Sequence, residues 1–144
     1  MIYIAAVQYD RHGTTLLLRE LALLPVTNPT NLYWYLLKPT VQFSELTLKD
    51  QRTARYLQRF GHHLPWECGA EQIQLPGNAR ILICNGVEVR QLLQTVFPNA
   101  TVINAHTSTL SNIPTLSHIR CPFEHSKTFC ATLNAYRLYS LLFQ

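Results

Sequence analysis

The chain reads as a mixed α/β domain on three observations: apolar runs bounded by turn residues open it, one segment then takes helical spacing, and strands alternate with helices thereafter. That succession implies a mixed sheet, an antiparallel meander of three strands followed by parallel strands, with helices on its faces. Ile2 to Gln8 and Leu16 to Leu23 are the first two strands, and the polar stretch Asp10-Arg11-His12-Gly13 between them suits an antiparallel hairpin. Tyr33 to Leu37 is a short, aromatic third strand closed by Pro39. From Ser44 to Phe60 the spacing is helical, with Ser44-Glu45 as the start and Leu46, Leu48, Tyr56, Leu57 and Phe60 on the inner face. Pro65 and Gly69 break the chain into a loop from His62 to Ala70. Arg80 to Cys84 is a compact strand, Asn85-Gly86 leads into a helix from Val87 to about Phe97, Thr101 to Asn104 is the last strand, and a terminal helix runs from about Glu124 to Leu142.

The 144 residues fit one domain spanning 1–144, and 47% hydrophobic residues are enough for a core without disulfides. Only 14% of residues are charged and the net charge is +4, a balance that permits nucleic acid or acidic partners without requiring them. The first residues lack a basic leader and carry Gln8 and Asp10 where a signal peptide would stay apolar. Arg19 and Glu20 interrupt the longest apolar run, well short of the roughly 20 residues a membrane helix needs. The expectation is a soluble intracellular protein, cytoplasmic or nuclear, with no membrane contact. In that setting its four cysteines are thiols or metal ligands sooner than disulfides.

Cys121, His125 and Cys130 crowd one ten-residue stretch, CPFEHSKTFC. Thiolates and a neutral imidazole are the ligands zinc prefers, and a structural zinc site wants four of them. This stretch supplies three, so the fourth comes from elsewhere. The alternative is that both cysteines are small buried hydrophobes on a helix.

The element order, three strands, helix, strand, helix, strand, helix, resembles that of the ribonuclease H-like fold, and local motifs are similar to those of its DnaQ-type exonuclease branch. Where that branch carries Asp-x-Glu on the first strand, this chain reads Ala6-Val7-Gln8. Its His-Asn-Ala-x-Phe-Asp motif resembles Cys84-Asn85-Gly86-Val87-Glu88-Val89, and its His-x-Ala-Leu-x-Asp-Ala motif resembles Phe129-Cys130-Ala131-Thr132-Leu133-Asn134-Ala135. Valine, phenylalanine and asparagine thus stand where the branch has catalytic groups. Two-metal hydrolysis needs carboxylates to gather its cations, so the resemblance implies a fold that has lost that mechanism.

Within the superfamily the chain resembles the Maelstrom domain, whose Glu, Cys, His, Cys set binds zinc. Glu20, Cys121, His125 and Cys130 follow the same order. Glu20 lies inside the apolar run Leu16 to Leu23, where a carboxylate is costly to bury unless paired or bound to a cation. On simple alternation it shares a face with Leu18 and Ala22. The alternative is that it faces solvent on an edge strand, or pairs with Arg19 or Lys127. The resemblance implies a structural zinc, binding of single-stranded RNA in RNA silencing or transposon control and, for some members, metal-independent RNA cleavage. No residue is an evident general base for cleavage.

Lys49, Arg52, Arg55 and Arg59 recur at three- and four-residue spacing and line one face of the first helix, with Glu45 and Asp50 as the only acids nearby. Such a stripe contacts phosphates or is simply a solvated face. The loop with His62, His63, Trp66 and Cys68 either stacks a base or holds a second metal, or packs Trp66 over the sheet. It also resembles a loop in short proteins of viral or mobile-element descent. Two functions therefore stand: a zinc-locked, catalytically degenerate module for single-stranded RNA or other nucleic acid, and a protein-interaction scaffold within an RNA-silencing or viral assembly.

Overall fold

Two long strands carry the sheet. In the computed structural model, which describes residues 1–107 and 130–143, β1 spans Ile2–His12 and β2 spans Thr15–Pro25. They are longer than the apolar runs suggest, because Asp10 to His12 continue the ladder down to the pair His12↔Thr15. The turn is Gly13-Thr14, with Gly13 at φ +62, a value a two-residue hairpin loop favours and a side chain resists. β3 (Tyr33–Leu36) pairs antiparallel with β2. β4 (Ile81–Cys84) pairs parallel with β1, and β5 (Thr101–Asn104) parallel with β4. The result is a mixed five-stranded sheet of order β3-β2-β1-β4-β5.

Its faces are set by strand alternation. Tyr3, Ala5 and Val7 of β1, with Leu21 and Leu23 of β2, pack in one cluster with Leu92 and Leu93 of α2 (Val87–Val96). The opposite face presents Ile4, Ala22 and Leu24 to Ala131, Ala135 and Leu138 of α3 (Ala131–Phe143). Small residues on both sides of that contact let the last helix lie close to the strands.

Helix α1 (Leu48–Phe60) begins later than the spacing suggests. Phe43–Glu45 forms a separate 3₁₀ turn, and Thr47 caps α1 by accepting a hydrogen bond from the Asp50 amide at 3.2 Å. Its inner face also differs: Ala54 is its buried residue and Leu46 is buried just before it, but Leu48, Tyr56 and Phe60 are 74%, 60% and 56% exposed. The terminal helix starts at Ala131, with Cys130 non-helical before it, because Cys130 is where the helix is capped; Glu124 to Phe129 lie outside the described residues.

Alternation fails at one point on β2. The register steps from Gln8↔Glu20 to Tyr9↔Leu18, leaving Arg19 as the extra residue of a β-bulge. Beyond it Leu16 and Leu18 join the α2 face, so Leu18 does not share the face of Glu20 and Ala22. The bulged residue is a fully buried arginine. Its Nη1 donates to Asp10 Oδ2 at 2.6 Å, Nη2 to Pro65 O at 2.7 Å and Nε to Leu37 O at 3.0 Å, and its guanidinium lies over Trp66. Asp10 also takes His62 Nε2 at 3.3 Å, while His62 Nδ1 accepts the Leu64 amide at 3.0 Å. Accepting at Nδ1 fixes the tautomer, so Nε2 carries the proton and donates.

This hub ties the chain after α1 to the sheet, where it covers the edge strand. Ala70 donates to Leu36 O and accepts from the Lys38 amide, both at 2.9 Å, screening the end of β3. Gly69 makes this approach feasible: a Cβ there, at φ +106, would sit 2.5 Å from the Leu37 carbonyl carbon. Arg19→Ala would strand Asp10 as a buried charge and should lower unfolding free energy by about 3–5 kcal/mol. A denaturant midpoint shift much smaller than that would show that the hub does not hold the sheet.

Candidate functional site

Glu20 is fully buried and its strand is the second of the sheet, so the solvent-facing, edge-strand alternative does not hold. Nor does it pair with Arg19, whose guanidinium goes to Asp10. Because the bulge ends just before it, Glu20 projects on the α3 side. There Oε1 accepts the Ala131 amide at 2.8 Å and Oε2 accepts Trp34 Nε1 at 3.0 Å. Ala131 opens α3, so a carboxylate 111 positions away satisfies one of the helix's orphan amides, with the favourable dipole sign.

Cys130 precedes Ala131 and is also fully buried. Its carbonyl accepts the first helical bond, from Asn134, at 3.0 Å, and its sulfur accepts the Leu133 amide at 3.4 Å. It therefore acts as the helix cap, with sulfur in the role a serine oxygen usually plays. Two of the four predicted ligands, Glu20 and Cys130, thus converge on one helix end from opposite ends of the chain. Cys121 and His125 lie outside the described residues. Among the described residues no group of three or more His, Cys, Asp or Glu gathers as a metal cluster. A carboxylate and a cysteine sulfur are both among the groups zinc takes as ligands.

A cavity of about 190 Å³ is lined by Ala6 of β1, Asn85 after β4, Val89 of α2 and Asn134 of α3, among others. These are motif positions of the exonuclease resemblance, drawn from four separate elements. What they present is amide and apolar surface, and Asn85 is further engaged in holding the loop, its Oδ1 accepting the Thr107 amide at 3.0 Å. Gln8 stands opposite Glu20 in the ladder and does not line the cavity.

The stripe on α1 is fully presented: Lys49, Arg52, Arg55 and Arg59 are all exposed. Neither nearby acid neutralises it. Glu45 accepts the Gln42 amide at 3.3 Å, Asp50 accepts the Gly13 amide at 2.8 Å, and among the described residues no carboxylate pairs with any of the four cations. Arg55 lies over the Phe43 ring and Arg59 over Phe60. A larger open hollow of about 810 Å³ adjoins Phe43, but Glu67 and Glu71 line it, so it does not extend the basic surface.

The His62 loop has a structural task. Both ring nitrogens of His62 are engaged, and Trp66 donates to Val41 O at 2.8 Å with Phe43 against its edge, so the packing reading describes it. The Asp10, Arg19, His62 hub is what reading the sequence missed, since Asp10 was assigned to a turn. A signal was present: adjacent charges, Arg19-Glu20, inside an apolar strand put a charge on each face, so in a sheet covered on both sides each needs a buried partner. No described helix is long and apolar enough to cross a membrane. Comparison with family models, curated proteins and solved structures finds no match to this chain.

At the end of β4, Cys84 is fully buried, and burial pushes its thiol from 9.0 up to about 11. The fold therefore favours the neutral thiol, and the stability this contributes is complete below pH 9 and lost as pH rises from 9 through about 11. Denaturation midpoints should fall across that window, and less so in Cys84→Ala. An identical alkaline decline in both proteins would remove Cys84 as its cause.

Proposed function

We propose that the chain is a zinc-binding, catalytically degenerate ribonuclease H-like domain that binds single-stranded RNA or another single-stranded nucleic acid. The observation that carries the binding reading is the exposed stripe Lys49, Arg52, Arg55 and Arg59, presented on one helix with no carboxylate partner among the described residues. Guanidinium and ammonium groups so placed meet phosphates without first breaking an internal ion pair. The fold reading is supported by three antiparallel strands followed by two parallel ones, and by motif positions Ala6, Asn85, Val89 and Asn134 meeting at one cavity. Lacking carboxylates at those positions, the domain binds its strand without two-metal hydrolysis.

The zinc reading is supported by Glu20 reaching the α3 end beside Cys130. Glu20, Cys121, His125 and Cys130 would hold the ion, and zinc would supply a cross-link between β2, the start of α3 and the stretch before it. The role is structural, in keeping with a full set of protein ligands and no open position. Participation in RNA silencing or transposon control follows the Maelstrom resemblance alone, and an intracellular location follows the sequence composition.

Purified protein should carry about one tightly held zinc per chain, and Cys121→Ser or His125→Ala should release it and lower the melting temperature. Zinc-free protein that melts like the loaded form would end the structural role. For binding, labelled single-stranded RNA should associate at low salt with an affinity that drops steeply as salt rises, log Kd changing by about 0.7 per decade of salt for each phosphate neutralised. Replacing Lys49, Arg52, Arg55 and Arg59 with glutamine should abolish most of that slope. Absence of binding at low salt by the intact protein would leave the scaffold function.

A further inference from the structure

The cations of α1 do not stand alone on their face. At 100° per residue, Arg55, Leu48, Arg59, Arg52, Tyr56, Lys49 and Phe60 fall within about 140° of the helix surface. The apolar members are not directed into the core: Leu48, Tyr56 and Phe60 are 74%, 60% and 56% exposed. Tyr56 and Phe60 are one turn apart, their ring centroids separated by 5.3 Å and their planes tilted by 47°, so each offers part of a ring face outward. An (i, i+4) aromatic pair steadies a helix by only about 0.2–0.5 kcal/mol, too little to account for leaving two large rings in water.

We infer that Tyr56 and Phe60 are a base-stacking platform, so that α1 takes a single nucleic-acid strand with its phosphates on Lys49, Arg52, Arg55 and Arg59 and at least one unpaired base on the aromatic pair. This rests on the nucleic-acid reading above and specifies its ligand: an unpaired, base-bearing strand, not a duplex or a simple polyanion. Charge complementarity fixes the occupant. An apolar protein partner would have to bury four cations for which the face provides no carboxylate, at a desolvation cost that a polyanion repays. Nucleobases supply the flat apolar surface the rings need, and alternating positive charge with aromatic faces is how single strands are held without base-specific hydrogen bonds. Arg59 already lies over Phe60 at 5.1 Å, so a guanidinium and a ring meet there in one unit.

The test compares a labelled oligouridylate 12-mer with an abasic 12-mer of the same backbone by fluorescence anisotropy, using the whole protein. The base-bearing strand should bind more tightly. Tyr56→Leu with Phe60→Leu should weaken its binding by about 5- to 150-fold per base stacked, leave abasic binding unchanged and leave the salt slope unchanged. Tyr56→Phe with Phe60→Tyr, which keeps both rings, should retain wild-type affinity and shows that any loss is not a folding defect. In Tyr56→Trp, emission should be quenched by the base-bearing strand and not by the abasic one. Salt-dependent binding that does not distinguish the two strands, or that is indifferent to the leucine variant, overturns the platform while leaving the basic stripe as the binding surface. A dimer that the leucine variant dissociates also overturns it, assigning the rings to contact between copies. No binding of either strand removes the nucleic-acid reading and the platform together.

Discussion

The buried pair of Arg19 and Asp10 is the constraint on which the rest of the structure depends. A guanidinium removed from water is tolerable only when its donors are answered, and here a carboxylate and the carbonyls of Leu37 and Pro65 answer them. Those acceptors belong to β1, the end of β3 and the loop after α1, so one side chain draws three segments together. Its position as the extra residue of a bulge is equally consequential. Inserting Arg19 reverses the alternation of β2, sends Leu16 and Leu18 to the α2 face and leaves Glu20 in phase with Ala22 on the α3 face.

From that phase follows the helix end. Glu20 meets the Ala131 amide because the bulge sets its direction and because small residues, Ala22, Ala131 and Ala135, let α3 approach the sheet. Cys130 then caps the same turn through sulfur. A carboxylate and a thiol thus meet at one buried helix terminus, each accepting a backbone amide of its first turn. Meanwhile the described residues that line the cavity, among them Ala6, Asn85, Val89 and Asn134, include no carboxylate to gather divalent cations.

Much of this was legible before any coordinates. The short apolar strands Tyr33–Leu36, Ile81–Cys84 and Thr101–Asn104 follow the expected boundaries nearly residue for residue, because turn residues close each one. Glu20 could be singled out as a buried carboxylate because charge inside an apolar strand demands a partner. Other features depend on tertiary context. Strand length at the first hairpin was hidden because polar residues can pair when their side chains are drawn into a buried network, as Asp10 is. The inner face of α1 was misjudged because large apolar residues were assigned to the core, whereas Ala54 faces inward and Tyr56 and Phe60 do not. The helix start at Ala131 was not legible because cysteine is not a usual cap, and only the fold shows its sulfur accepting the Leu133 amide.

The central claim is that Glu20, selected by the bulge, completes a Cys121, His125, Cys130 zinc site at the head of α3. X-ray absorption at the zinc edge of the purified protein addresses it directly. The account predicts a four-coordinate ion with two sulfurs at about 2.3 Å and two nitrogen or oxygen ligands at about 2.0–2.2 Å. In Glu20→Gln the light-atom shell should change while both sulfurs remain. A spectrum without sulfur, or one that Glu20→Gln leaves untouched, would contradict it.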